Sequence, residues 1–262
     1  MTAALVTGAS TGIGRELAGL FAADGIDLVI VSSQRSVAEL QALAAELRSR
    51  HGVRVDTVTM DLAEPGAAAA LVARVDELGV DVGYLVNNAG VGILGLKVQD
   101  SDPTTVSRLV QLNVVTLTDL TMLYVRRMVE AGRGAILNVS SVAAYVVPHG
   151  LEAAYAASKA FVRSFSESVA DDLRGTGVTC THLAPGPTHT AFAATAGLED
   201  VSRFGLTMMD AAPVARAGYA AMRAGRVMEM PGLSTKVMRR AAGISPSRRL
   251  TAKVSGFFVA RH

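Results

Sequence analysis

Residues 3–14 read AALVTGASTGIG, and the reading of this stretch decides the rest of the chain. Residues 3–7 are a short apolar run, the signature of a buried strand. From Ile13 onward apolar side chains fall at Ile13, Leu17, Leu20 and Phe21, one stripe of a helix. Between strand and helix, Gly8, Gly12 and Gly14 stand in a G-x-x-x-G-x-G spacing. Glycine allows a tight turn and lets a pyrophosphate approach the backbone. The helix start beyond offers unpaired N–H groups and the positive end of a dipole. Ser10, Thr11 and Ile13 fill the same loop and would line the same site. The plain alternative is an ordinary glycine-rich turn. No Gly-Lys-Ser/Thr follows, which speaks against a P-loop, and a dinucleotide is the expected ligand.

Outward from this unit the pattern repeats. Apolar runs at 27–31, 53–60, 82–86, 135–139 and 178–183 read as further buried strands. Helical stripes at 37–50, 67–78, 104–131 and 153–174 separate them. Continuous apolar strands alternating with helices predict an α/β fold, a doubly wound parallel sheet with helices on both faces. No linker and no internal repeat divides residues 1–262, so one domain is expected. After Pro185 the alternation loosens. Residues 190–212 lack clear periodicity and read as a substrate loop, while 227–230, before Pro231-Gly232, reads as a final strand.

Composition narrows the classes. The chain has 262 residues, 50% of them hydrophobic and 18% charged, ample for a core. A net charge of +2 implies no polyanionic partner, and no nucleic-acid binding is expected. The single cysteine, Cys180, leaves no internal disulfide, reads as a core residue and fits a cytoplasmic protein. The start MTAALVTGAS carries no signal-peptide pattern, and no apolar run is long enough to span a membrane. His182 and His189 flank Pro185 without carboxylate or cysteine neighbours at ligand spacing, so no metal is expected. His149 reads as an exposed loop residue.

Further along, YAASK at 155–159 places Tyr155 and Lys159 one helical turn apart, on one face. Alone that spacing carries little information. With TGASTGIG, NNAG at 87–90, Asn113 in the long helical stretch, Ser140-Ser141 ending the fifth strand and PGPTHT from Pro185, it appears in a fixed order. In that order the chain resembles the short-chain dehydrogenase/reductase family over residues 3 to about 190. More narrowly it resembles the bacterial branch described as DltE-like or YqjQ-like.

The resemblance implies a Rossmann fold and hydride transfer between NADP(H) or NAD(H) and a carbonyl/secondary-alcohol pair. Tyr155 would exchange a proton with the substrate oxygen. Lys159 would lower the phenol's pKa and bind the nicotinamide ribose, Ser141 would hold the substrate oxygen, and Asn113 would hold a relay water. Fourteen positions separate Ser141 from Tyr155, one more than the family's usual thirteen, which one extra residue in the intervening loop explains. Asn88, Ala89, Gly90, Pro185, Gly186, Thr188 and Thr190 would contact the cofactor. Asp61 and Leu62 resemble the family's adenine-binding pair, although Asp61 also suits a turn cap. A homodimer or homotetramer is implied.

The second strand ends VSSQRS, without the acid that hydrogen-bonds a ribose in many NAD enzymes. Ser32, Ser33 and Arg35 offer donors and a positive charge instead, so NADP(H) is favoured over NAD(H). Valine, leucine, phenylalanine and methionine in 91–96, 142–151 and 190–212 favour an apolar substrate. Residues 233–262 hold basic side chains among apolar ones. They read as a terminal helix packed on the domain or on a second subunit, in preference to one touching anionic lipid or an acidic substrate or carrier. The rival class is a dinucleotide-sensing regulator that has lost its chemistry, which would be expected to lack the tyrosine or the lysine.

Overall fold

The computed structural model of the chain describes residues 2–92, 98–145, 153–190 and 208–232. Seven strands form one parallel sheet in the order β3-β2-β1-β4-β5-β6-β9. They are β1 (Thr2–Thr7), β2 (Leu28–Ser32), β3 (Val55–Thr59), β4 (Asp81–Asn87), β5 (Gly134–Val139), β6 (Val178–Leu183) and β9 (Met228–Glu229). Two short strands, β7 (Thr188–His189) and β8 (Met209–Asp210), pair separately. Among the described residues the α-helices are α1 (Gly12–Ala23), α2 (Val37–His51), α3 (Ala67–Glu77), α4 (Pro103–Val110), α5 (Leu117–Glu130), α6 (Ala153–Asp172) and α7 (Ala211–Arg223).

Strand alternation explains why both faces need covering. Along β1, Ala4 and Val6 enter one core with α1, α2 and α7, while Leu5 enters the other with α3, α5 and α6. In β2, Leu28 and Ile30 face the first core and Val29 and Val31 the second. Each such leucine or isoleucine contributes about 2 kcal/mol on burial. Cys180 lies in the second core, where burial pushes its thiol up to about 12.

β1 pairs with β2 on one side and β4 on the other, so chain order reverses there. The crevice at the carboxyl ends of β1 and β4 is therefore the switch point where a doubly wound sheet binds its ligand.

Two departures from the sequence expectation bear on the site. The single helix expected over 104–131 is α4 and α5 joined by a π-helical segment, Gln111–Thr116. Asp102 starts α4 by accepting from Thr105 N–H at 2.8 Å, with Pro103 in the first turn. α7 was not among the elements expected after Pro185, where the alternation loosens. Pro213 falls in the first turn, where its missing N–H does no harm. Gly218 packs on β6: a Cβ there would lie 2.7 Å from Leu183 Cδ2. The expected substrate loop falls mostly, and the basic extension 233–262 wholly, outside the described residues. Among the described residues no helix is long and apolar enough to cross a membrane.

Candidate active site

The glycine loop is shaped by contacts that leave no room for side chains. Gly8 and Gly12 hold φ of 65° and 56°, the left-handed region. A Cβ on Gly14 would lie 2.3 Å from the Gly8 carbonyl oxygen and 2.4 Å from Asn88 Nδ2. Asn88 Nδ2 donates to the carbonyls of Thr7 and Gly8, each at 3.0 Å. Thr7 Oγ1 accepts from the N–H groups of Asn88 and Ala89 and donates to the Val86 carbonyl. Thr7, read from the sequence only as the end of a strand, thus rivets the ends of β1 and β4 together. Buried threonine at a strand end was the available signal.

At the start of α1 Thr11 is extended and its side chain caps nothing, and the first turn holds no acid. The N–H groups of Gly12, Ile13 and Gly14 therefore meet no local anion, and Ser10 is buried beside them. Thr190 closes over the loop, its methyl 2.8 Å from where a Gly12 Cβ would be. Thr188 is buried and donates to the Gly186 carbonyl at 2.9 Å. Pro185 is also buried, its carbonyl accepting from Val142 N–H. A bare glycine cradle facing a helix N-terminus fits a dinucleotide pyrophosphate.

At the far end of the crevice Ser33 and Arg35 are exposed. Ser32 is turned inward, its hydroxyl against the Ser33 and Ser36 carbonyls. Asp61 accepts from Ala63 N–H and pairs with Arg108 at 2.6 Å. That turn bond and the Arg108 guanidinium, with Arg35 adding, hold its carboxyl below the usual range against some desolvation. Leu62 is buried, and its carbonyl accepts the Thr116 hydroxyl at 2.8 Å. That bond ties the Asp61 turn to the π segment.

The polar groups converge around α6. Tyr155, Lys159 and Ser158 are buried on one face of it. Ser140 is buried and donates to the Lys159 carbonyl, whereas Ser141 hydrogen-bonds Tyr155. Asn113, placed by the π segment, donates to the Val91 carbonyl and Ser158 Oγ and accepts from Val91 N–H. Both amide hydrogens are engaged, so this side chain braces the loop after β4 against α6. A Cβ on Gly90 would lie 3.1 Å from Asn113 Oδ1 and 3.4 Å from Lys159 Nζ. π segments of this kind recur at functional sites.

The electrostatics differ from the simple expectation. Lys159 Nζ donates to the Val139 carbonyl at 3.0 Å and stands 5.9 Å from the Tyr155 ring centroid. Burial lowers its pKa to about 8. Burial also pushes the Tyr155 phenol up, with only the Ser141 hydrogen bond opposing. Desolvation outweighs the motif here.

Against this geometry stands a match over residues 2–200 to the family model described as short chain dehydrogenase. The chain belongs to the short chain dehydrogenase family. It is thereby an NAD(P)-dependent oxidoreductase. Its relatives include a sulfoacetaldehyde reductase of Chromohalobacter salexigens, 37% identical over 188 residues, covering 71% of this chain and 72% of that protein. A 7beta-hydroxysteroid dehydrogenase of Collinsella aerofaciens is 33% identical over 71% of this chain and 68% of its own length. A solved short-chain dehydrogenase from Sphingobium yanoikuyae, in complex with NADPH, superposes with a TM-score of 0.82 at 32% identity. That superposition covers 100% of this chain and 97% of that one. In this dehydrogenase, Tyr155, Lys159, Ser141 and Asn113 gather beside the crevice that the bare glycine loop borders.

One buried group was set aside in the sequence and matters in the structure. His182, in β6, is fully buried. Burial lowers its pKa to about 4; Glu167 opposes the drop, and Arg163 adds to it. Between about pH 6.5 and 4 the unfolded chain binds a proton that the folded histidine refuses, so stability falls as pH falls through that window. The loss amounts to on the order of 3 kcal/mol. Urea melts of the parent and His182→Gln between pH 7 and 4 should diverge, the variant losing less. Parallel curves would assign the acid loss to other groups.

Proposed function

We propose that this dehydrogenase moves a hydride between NADP(H) and an apolar ketone/secondary-alcohol pair. The observation that carries the reading is the Tyr155–Ser141 hydrogen bond beside Lys159, buried where Gly90 keeps the floor bare. A bound nicotinamide would supply hydride to the carbonyl carbon or accept it from the alcohol. Ser141 would hold the substrate oxygen, and Tyr155 would give it a proton in reduction and remove one in oxidation. Lys159, cationic below about pH 8, would favour the phenolate in the second direction. Asn113 would keep Val91 and α6 in register.

Support for NADP(H) comes from exposed Ser33 and Arg35 after β2, with no acid among them, and from the NADPH-bound relative. Fluorescence titration should show tighter binding of NADPH than NADH, with Arg35→Ala narrowing the gap. Equal affinities in the parent would reject the 2′-phosphate reading.

Exposed Val91 and the small apolar turn Val142–Ala144 support an apolar substrate. NADPH consumption with a 7-oxosteroid, a long-chain aliphatic ketone and sulfoacetaldehyde separates the classes. Turnover of sulfoacetaldehyde alone would favour a small anionic substrate. Tight NADPH binding with no turnover on any of the three would favour a dinucleotide sensor.

A further inference from the structure

Four residues after Ser141, a tyrosine reaches back into the fold. Tyr145 closes the 3₁₀ turn Val142–Ala144, for which Ser141 is the N-cap. Its hydroxyl shares a 2.8 Å hydrogen bond with His182 Nε2 and approaches Met228 Sδ at 3.1 Å. The Arg163 guanidinium lies 4.2 Å above its ring centroid. The ring also packs on Val142, Ala184 and Met230. One side chain thereby joins the serine turn to β6, β9 and α6.

The turn transmits that anchoring to the serine. Ser141 Oγ accepts from Ala143 N–H at 3.1 Å. Tyr145 N–H donates to the Val142 carbonyl, and Val142 N–H donates to the Pro185 carbonyl at 2.9 Å. Both ends of the turn are therefore tied, one to the strand-end loop at Pro185 and one to His182. A fully buried histidine is a costly way to fill space unless its hydrogen bond fixes something.

We propose that Tyr145, held by His182, is a positioning residue that sets the orientation of the Ser141 hydroxyl toward Tyr155. The inference rests on the reading of Ser141 as the group that holds the substrate oxygen. Small displacements of such a group cost rate more than binding. A tyrosine that only filled space would be replaced by phenylalanine without kinetic effect.

The test is a double-mutant cycle between Ser141→Ala and Tyr145→Phe, on whichever of the three panel substrates the parent turns over fastest. Tyr145→Phe should lower kcat about tenfold while NADPH affinity holds and the fold survives with a melting temperature lower by several degrees, since buried His182 loses its partner. In the Ser141→Ala background it should lower kcat no further, because the group it positions is gone. His182→Leu should reproduce the loss, and His182→Gln, whose amide can still meet the phenol, should restore most of it.

Unchanged kcat in Tyr145→Phe, or losses that multiply across the cycle, would overturn the inference and leave the reading of Ser141 standing. Normal kcat in Ser141→Ala would remove that reading and the inference together, as would a parent with no turnover.

Discussion

Tyr155→Phe is expected to lower kcat by about a thousandfold while leaving NADPH affinity nearly intact. The ring is buried against Leu109, Ala143 and Ala154, contacts that phenylalanine keeps. The hydroxyl is the part that touches Ser141, and only it can exchange a proton with a substrate oxygen. The cradle at Gly8, Gly12 and Gly14 is untouched. Stopped-flow binding and steady-state turnover on the same preparation make the comparison. A kcat within a few-fold of the parent would mean that the proton travels by another group, and the mechanism above would fall. The pH profile adds a second check. Burial raises the phenol, so oxidation of an alcohol should accelerate as pH rises toward its ionisation, and that limb should vanish in the variant.

How far the sequence could be read depended on whether the controlling interactions were local. The β1–α1 unit was legible because glycine spacing, strand and helix all fall within residues 2–23. The doubly wound parallel sheet was legible because apolar runs alternate with helical stripes along the chain, whereas the strand order was not read. The π segment was not legible. Its extra width is associated with bonds from Asn113 to Val91 and from Thr116 to Leu62, partners 22 and 54 residues away. The helix α7 was not read, and the contact that suits Gly218 to it, with Leu183 of β6, is not local in sequence.

The sign of the Tyr155 shift was hidden for a related reason. A motif shows that Lys159 is near; it does not show that the ammonium is engaged with the Val139 carbonyl and that the phenol is buried. Tyr145 and His182 stand 37 residues apart and match no spacing rule. The polar site was thus readable as a set of residues, and its energetics only as a structure.

Gly14→Ala should damage this enzyme far more than its single methyl suggests. The added Cβ would sit 2.3 Å from the Gly8 carbonyl oxygen, a backbone atom that cannot rotate away, and 2.4 Å from Asn88 Nδ2. Relief requires moving the glycine loop off β4 and breaking the Asn88 bonds to the Thr7 and Gly8 carbonyls. Overpacking of this kind costs about 1–3 kcal/mol. In a domain of this size that lowers the melting temperature by several degrees, on the order of 2–4 °C per kcal/mol. Because the loop is also the expected phosphate cradle, NADPH affinity should fall at least tenfold, about 1.4 kcal/mol. Gly19→Ala is the matched control. It lies in the same helix with no atom within 4 Å of its would-be Cβ. There alanine should stabilise by roughly 0.5–1 kcal/mol, as in an ordinary helix interior, and leave NADPH binding alone. Thermal melts with and without NADPH on the two variants decide it. If Gly14→Ala binds NADPH as the parent does, the close approach of loop and strand is not what shapes the cofactor site.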